Sequence, residues 1–204
     1  TLSLHDALPI CFLYNQAFWT LCYNQAMELK EKTLSSELKF TGRIIRVLHD
    51  HIELPDGNRS MRELVEHPGG VCVAAVNENG ELLLVEQYRY AFKTELLEFP
   101  AGKLEPGEDP LEAAKRELIE ETGYEADVML SLGEIWPSVG YLTERIYLYY
   151  APNTHFVGQK LDAQEFLNVK PYSYEQLMLM AHHHLINDGK TLALLLRMKP
   201  HLKD

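Results

Sequence analysis

Apolar residues dominate the stretch "VCVAAVNENGELLLVEQYRY", in which two runs, residues 71–76 and 81–88, flank Asn79-Gly80. Runs this short, bounded by a turn dipeptide, predict a hairpin of core strands. Helical periodicity appears further on. In "DPLEAAKRELIEETG" the residues Leu111, Ala114 and Leu118 form one apolar stripe. Asp109 suits the N-cap with Glu112 at the capping-box position, Pro110 suits the first helical position, and Gly123 suits the terminus. The pattern predicts a helix from about Pro110 to Thr122. Strands are expected at "LLEF", before a Pro-Ala-Gly turn, and near "DVMLSLGEI" and "RIYLYYA", followed by an irregular stretch from Pro152 to Glu165. The tail reads as helical: Ser173 and Gln176 cap "YEQLMLMAHHHLI", and "TLALLLRM" follows the Asn187-Asp188-Gly189 turn as a buried helix. From Met27 to about His67, β-like runs around "TGRIIRVLHDHIELPDG" and "MRELVEH" meet at Pro55-Asp56-Gly57 and predict a small antiparallel unit.

Composition narrows the class. With 204 residues, 46% of them hydrophobic, the chain can build one sizeable core or a core with a small appendage. A formal net charge of -11 with no Lys/Arg cluster argues against nucleic acid or an anionic membrane as partner. Cys11, Cys22 and Cys72 have no metal-ligand spacing and are too few for a disulfide framework, which fits a reducing cytoplasm. The first 26 residues are apolar and aromatic, yet lack a basic n-region and an unbroken span of about 18 apolar residues. They read as neither signal peptide nor membrane helix. "SLHDALPIC" resembles translated adapter sequence. The expected organisation is a non-native leader over 1–26, a native start at Met27, a β unit over 27–66 and the main domain over 67–204.

The chemistry concentrates on the predicted helix. Residues 102–124 hold seven carboxylates, and at roughly 100° per residue Glu120 and Glu121 fall roughly 60° to one side and 40° to the other of Glu117. Three carboxylates on one face near a helix C-terminus repel one another and oppose the macrodipole. A positive group must offset them, either Arg116 or a divalent cation; hard ions such as Mg²⁺ favour oxygen ligands. Three consecutive histidines, His182 to His184, point about 100° apart on a helix and cannot converge on one metal, so they read as helix surface.

The segment fits the pattern G-x5-E-x7-R-E-U-x-E-E-x-G-U, with U bulky and apolar or aromatic, through Gly102, Glu108, Arg116, Glu117, Leu118, Glu120, Glu121, Gly123 and Tyr124. Chance would produce this in such a chain less than roughly once in a million. It resembles the box of the Nudix hydrolases, which cleave nucleoside diphosphates linked to another moiety. The likeness extends through "RELVEHPGGV", "VEQYRY", "LLEFPAGKLE" and "DGKTLALLL" to cover residues 27–199, and looks like the bacterial ADP-ribose pyrophosphatase branch.

The resemblance implies an α/β/α sandwich around a mixed sheet. It also implies a homodimer built partly by the N-terminal strands, and Mg²⁺-dependent cleavage of ADP-ribose to AMP and ribose 5-phosphate, with Mn²⁺ able to substitute. Carried over by position, Glu117 and Glu121 are the main metal ligands, Glu120 bridges or supports them, and the Ala101 carbonyl completes the sphere. Arg116 orients a glutamate, Gly102 gives close backbone approach, and Glu108 ties loop to helix. Related loops read D-E-D-E where this chain has Asp162-Ala163-Gln164-Glu165, so Glu165 is the expected general base or an additional metal ligand. Arg89, Glu98, Gly140 and Glu144 fall where the branch binds substrate, and Arg62 and Glu63 where it uses residues from the partner subunit; the arginines and Glu63 are equally readable as surface charges. Val139 replaces the proline of the branch's usual S-P-G. Trp136 and Tyr141 either stack on adenine or pack half-buried. Two alternatives stay open: a pyrophosphatase for another nucleotide sugar or nucleotide cofactor, and a non-catalytic ADP-ribose-binding domain.

Overall fold

The central strands are apolar at successive positions because both of their faces are covered. In the computed structural model, which describes residues 28–161, 163 and 165–202, β4 (Gly70–Val76) and β5 (Leu82–Arg89) stand where the hairpin is expected. Side chains alternate across a strand. Val71, Val73, Ala75 and Leu83 pack with Ala113, Ala114 and Leu118 of α1 (Pro110–Thr122). The intervening Cys72, Ala74, Leu82 and Leu84 pack with Leu177 of α2 (Tyr174–His182) and with Leu194, Leu195 and Met198 of α3 (Gly189–Met198). The result is an α/β/α sandwich.

The sheet is mixed. Its order is β12-β5-β4-β10-β9, with β10 (Ile146–Ala151) parallel to β4 and antiparallel to β9 (Leu130–Ile135), and β12 (Leu167–Tyr172) antiparallel to β5. Strands β4 and β5 pair only at Ala75–Leu83 and Val76–Leu82, next to their turn, and then part. The gap is filled by one segment: β6 (Thr94–Glu98) pairs with β5 and β7 (Ala101–Lys103) with β4, while the Val73 N–H donates to Pro100 O at 2.9 Å. The expected Pro-Ala-Gly turn is therefore partly strand, and it brings Glu98 to Gly102 between the parted strands.

Other elements also differ from expectation. Helix α2 ends at His182, and His184 adopts φ +60°, which turns the chain so that Ile186 is buried. Strand β12 carries a proline and only partial alternation, which weakens a strand pattern. Within the irregular stretch, β11 (Thr154–Phe156) pairs with β8 (Tyr124–Ala126).

The described residues divide into two compact units, one of residues 28–36 with Asp50–Arg62, the other of Glu37–His49 with the described residues from Glu63 onward. At the N-terminal end, β1 (Lys32–Thr41), β2 (Arg46–Glu53) and β3 (Arg59–Glu66) form a three-stranded sheet in that order. Pro55-Asp56-Gly57 turns between β2 and β3, with Gly57 N–H donating to Leu54 O at 2.9 Å. Strand β1 was not expected, because all ten of its residues are exposed and no core-facing pattern marks it. The leader lies outside the described residues. Among the described residues no helix is long and apolar enough to cross a membrane.

Candidate active site

Helix α1 begins as its sequence dictates. The Asp109 carboxylate accepts from Leu111 N–H at 2.9 Å and Glu112 N–H at 3.3 Å, and Pro110 follows where no N–H is needed. It ends at Gly123, whose φ of +78° favours glycine and where a β-carbon would lie 2.6 Å from Gln159 N. Between these caps the apolar stripe fixes the helix to the sheet, leaving the acidic face toward Ala101-Gly102.

All five N–H groups of Arg116 are engaged. Nε and Nη2 grip the two oxygens of Glu108 at 2.9 and 3.0 Å, and Nη2 also reaches Lys103 O at 3.3 Å. Nη1 donates to Glu117 Oε1 at 2.8 Å and Glu120 Oε2 at 2.9 Å. Glu108 in turn accepts from Glu105 N–H at 2.9 Å, which ties the loop to the helix. The guanidinium's hydrogen bond holds the Glu108 carboxyl below its ordinary value.

Glu117 and Glu121 are buried at 7% and 4% exposure. Burial pushes both carboxyls up, Glu121 to about 8 even though Ala101 N–H donates to its Oε2 at 2.9 Å; neighbouring Glu165 adds to the rise in each. Such a pair calls for positive charge. At Gly102 a β-carbon would lie 1.8 Å from the Glu117 carboxyl carbon, so only glycine leaves room for that carboxylate. Among the described residues no three His, Cys, Asp or Glu side chains converge as a ready metal cage. The reason is local: Arg116 draws Glu117 and Glu120 to itself, and Ala101 holds one oxygen of Glu121. The donor set of carboxylate and carbonyl oxygens nevertheless fits a hard divalent cation.

The loop bearing Glu165 is secured to the same helix. Gln159 Nε2 donates to Glu121 O at 2.5 Å, Lys160 N–H to Glu120 O at 3.2 Å, and Val157 N–H to Gly123 O at 2.8 Å. These bonds satisfy carbonyls that a helix end leaves open. Asp162 and Gln164 lie outside the described residues.

These groups line a cavity of about 1020 Å³, with Ala101, Gly102, Glu117, Glu120, Glu121 and Glu165 at one side. Arg89 stands elsewhere on its wall, where Nε and Nη2 meet the buried Glu98 carboxylate at 2.6 Å each. Glu98 also bonds Lys190, on the first turn of α3, whose Nζ reaches Asp188 Oδ1 at 2.8 Å. The sequence reading missed Lys190. Its signal was a lysine in the first turn of an otherwise apolar helix, where the dipole disfavours a cation. Glu144 lines the cavity beside His67; His67 Nδ1 already accepts from Gly69 N–H at 3.1 Å, so Glu144 at 3.4 Å is a neighbour and not a second donor's partner. Trp136 lines it too, its indole N–H held by Glu134 at 3.0 Å. Other candidates do not join this group. Gly140 and Glu63 are exposed and absent from the cavity wall, and Arg62 belongs to the smaller unit, paired there with Glu31 and bonded to Met61 O at 2.9 Å.

Residues 66–195 match the NUDIX domain family. The chain belongs to the Nudix hydrolases. Residues 31–65 match the nucleoside diphosphate sugar hydrolase N-terminal domain. This Nudix chain is 37% identical over 165 residues to the ADP-ribose pyrophosphatase of Bacillus subtilis, covering 80% of this chain and 89% of that protein. It is 40% identical over 164 residues to the methanol dehydrogenase activator of Bacillus methanolicus, covering 79% and 89%. A solved structure described as an ADP compounds hydrolase superposes with a TM-score of 0.75 at 22% identity, covering 85% of this chain and 94% of that one, a likeness of fold. As a Nudix hydrolase the protein is an enzyme of a family that uses divalent metal ions, and its relatives support hydrolysis of nucleoside diphosphate sugars.

Proposed function

We propose that the protein hydrolyses ADP-ribose to AMP and ribose 5-phosphate with Mg²⁺, Mn²⁺ being able to substitute. The observation that carries this reading is the grouping of Glu117, Glu120 and Glu121 against Ala101-Gly102 in one large cavity whose wall also bears Arg89. Glu117, Glu121, Glu120, the Ala101 carbonyl and Glu165 would hold the cation, which when bound neutralises pyrophosphate oxygens and activates water. Arg116 keeps the carboxylates of Glu117 and Glu120 oriented, and Glu108 keeps Arg116 in place. Glu165 accepts the water proton, from a loop whose bonds to α1 hold it near the other carboxylates. Arg89, set by Glu98, offers its remaining N–H groups to a phosphate or the distal ribose, and Glu144 offers an acceptor for sugar hydroxyls. Arg62 and Glu63 would act on the substrate of the partner subunit in a homodimer, in which β1 contributes the interface, and Gly140 would act on substrate from the loop that also holds Val139. The reading includes a β unit over 27–66 and a Nudix domain over 67–204, supported by family matches over residues 31–65 and 66–195. We place the enzyme in the cytoplasm.

A second substrate reading has its own support. Val139 is 78% exposed beside Gly140, in place of the proline usual for ADP-ribose. Other nucleotide sugars and dinucleotide cofactors carry the same pyrophosphate that the site would address. Chromatography of products after incubation with Mg²⁺ and ADP-ribose, ADP-glucose, NADH or diadenosine polyphosphates tests both. AMP and ribose 5-phosphate from ADP-ribose are expected; cleavage of another compound alone would move the substrate. Glu121→Gln should abolish turnover while leaving the circular dichroism spectrum unchanged, and near-normal turnover would refute its role as a ligand.

A further inference from the structure

Lys190 occupies a position that local energetics disfavour. It sits in the first turn of α3, where the helix dipole repels a cation, and its long side chain is 13% exposed, so rotamer freedom is lost. What it gains is a closed circuit. Its Nζ bonds Glu98 Oε2 and Asp188 Oδ1. Asp188 Oδ2 accepts from Thr191 N–H at 2.9 Å and from Thr191 Oγ1 at 2.6 Å, and Thr191 Oγ1 accepts from Phe99 N–H at 2.9 Å. Phe99 follows Glu98, so the end of β6 is fastened to the start of α3 at two adjacent points. The carboxylate of Glu98 cannot swing.

That carboxylate is also what aims Arg89. Two bonds of 2.6 Å, from Nε and Nη2, hold the guanidinium fork on the Glu98 carboxyl group. The Arg89 side chain is 37% exposed and borders the cavity, leaving Nη1 without a hydrogen bond among the described residues. Arg89 and Glu98 alone would be a neutral pair able to rotate together. A second cation on Glu98 Oε2 stops that rotation.

We propose that Lys190 is a positioning residue for substrate binding, fixing Glu98 so that Arg89 presents its free Nη1 to an anionic or polyhydroxyl part of the substrate. This rests on reading the cavity as a nucleoside diphosphate sugar site. The effect is on binding: Lys190 acts through Arg89 and not on the scissile bond.

The test is a double-mutant cycle of Lys190→Met and Arg89→Lys, with KM and kcat for ADP-ribose and calorimetric ADP-ribose affinity measured in each protein. Lys190→Met should raise KM roughly ten-fold while changing kcat less than about three-fold. In the Arg89→Lys background it should add less than about two-fold, because the fork it steadies is gone. A folded Lys190→Met protein with unmoved KM and affinity, or the same loss in both backgrounds, overturns the proposal. Should Lys190→Met not fold, Asp188→Asn carries the test, since asparagine still caps α3 while weakening the second anchor of Lys190. A raised KM there supports the proposal and an unchanged one overturns it. Binding without cleavage in the wild type would overturn the hydrolytic reading alone, the affinities still deciding Lys190; no binding would overturn both.

Discussion

At Gly102 a β-carbon would invade the Glu117 carboxylate, but the obstacle is the far end of a side chain and not backbone. Gly102→Ala should therefore fold and fail in chemistry, with turnover reduced roughly a hundred-fold or more if Glu117 serves as the proposed ligand, because its displacement spoils that geometry. Kinetics beside circular dichroism check it; normal turnover would show that Glu117 need not stand there. Glu98 gives a different signature. Burial pushes its carboxyl up, yet the bonds and charges of Arg89 and Lys190 outweigh this and hold it below its ordinary 4.5. A carboxyl held low in the folded chain binds fewer protons there than when unfolded, so its stabilisation is present above about 4.5 and is lost as pH falls through the folded value. Glu98→Gln should cost about 3–5 kcal/mol at neutral pH, since it leaves two cations without their partner. Thermal melts of both proteins should converge as pH falls below the ordinary 4.5 and through the lowered folded value, and a gap independent of pH would contradict the ion pairing.

Among the elements, α1 was the most legible. Its caps, proline and apolar stripe lie within one short segment, and its acidic face belongs to a contiguous motif, so both the helix and the clustering of its carboxylates were readable from sequence. The strands β4, β5 and β10 were readable because burial on both faces leaves long apolar runs. Strand β1 presents no buried side to the core, and β12 depends on pairing with β5, a partner distant in sequence; neither leaves a strong local trace. The same distance hid Lys190, which meets Glu98 across 92 residues. The loop after β11 shows how elements cooperate: its backbone and Gln159 complete the C-terminal end of α1, linking Glu165 to the helix carrying the other carboxylates. Gln159→Ala removes one side-chain bond to Glu121 O and should cost about 1 kcal/mol of stability, while lowering kcat roughly ten-fold through loss of loop placement. Turnover equal to wild type would mean that the backbone bonds suffice.

For the whole molecule, the exposed face of β1 bears on assembly. Leu34, Leu38 and Phe40, on one face of the strand by alternation, are 41%, 49% and 55% exposed. An exposed strand of this kind invites pairing with another chain. Light scattering should give about twice the 23.4 kDa chain mass, and the double variant Leu38→Lys, Phe40→Glu should shift it toward monomer; a monomeric wild type would exclude the homodimer. The five-way engagement of Arg116 bears on how the protein is made. Carboxylates crowded on one helix face repel one another, and here a counter-ion is encoded a single residue from Glu117. The positive charge that settles the acidic face of α1 is therefore written into the chain itself, and that part of the fold does not depend on the supply of divalent ions.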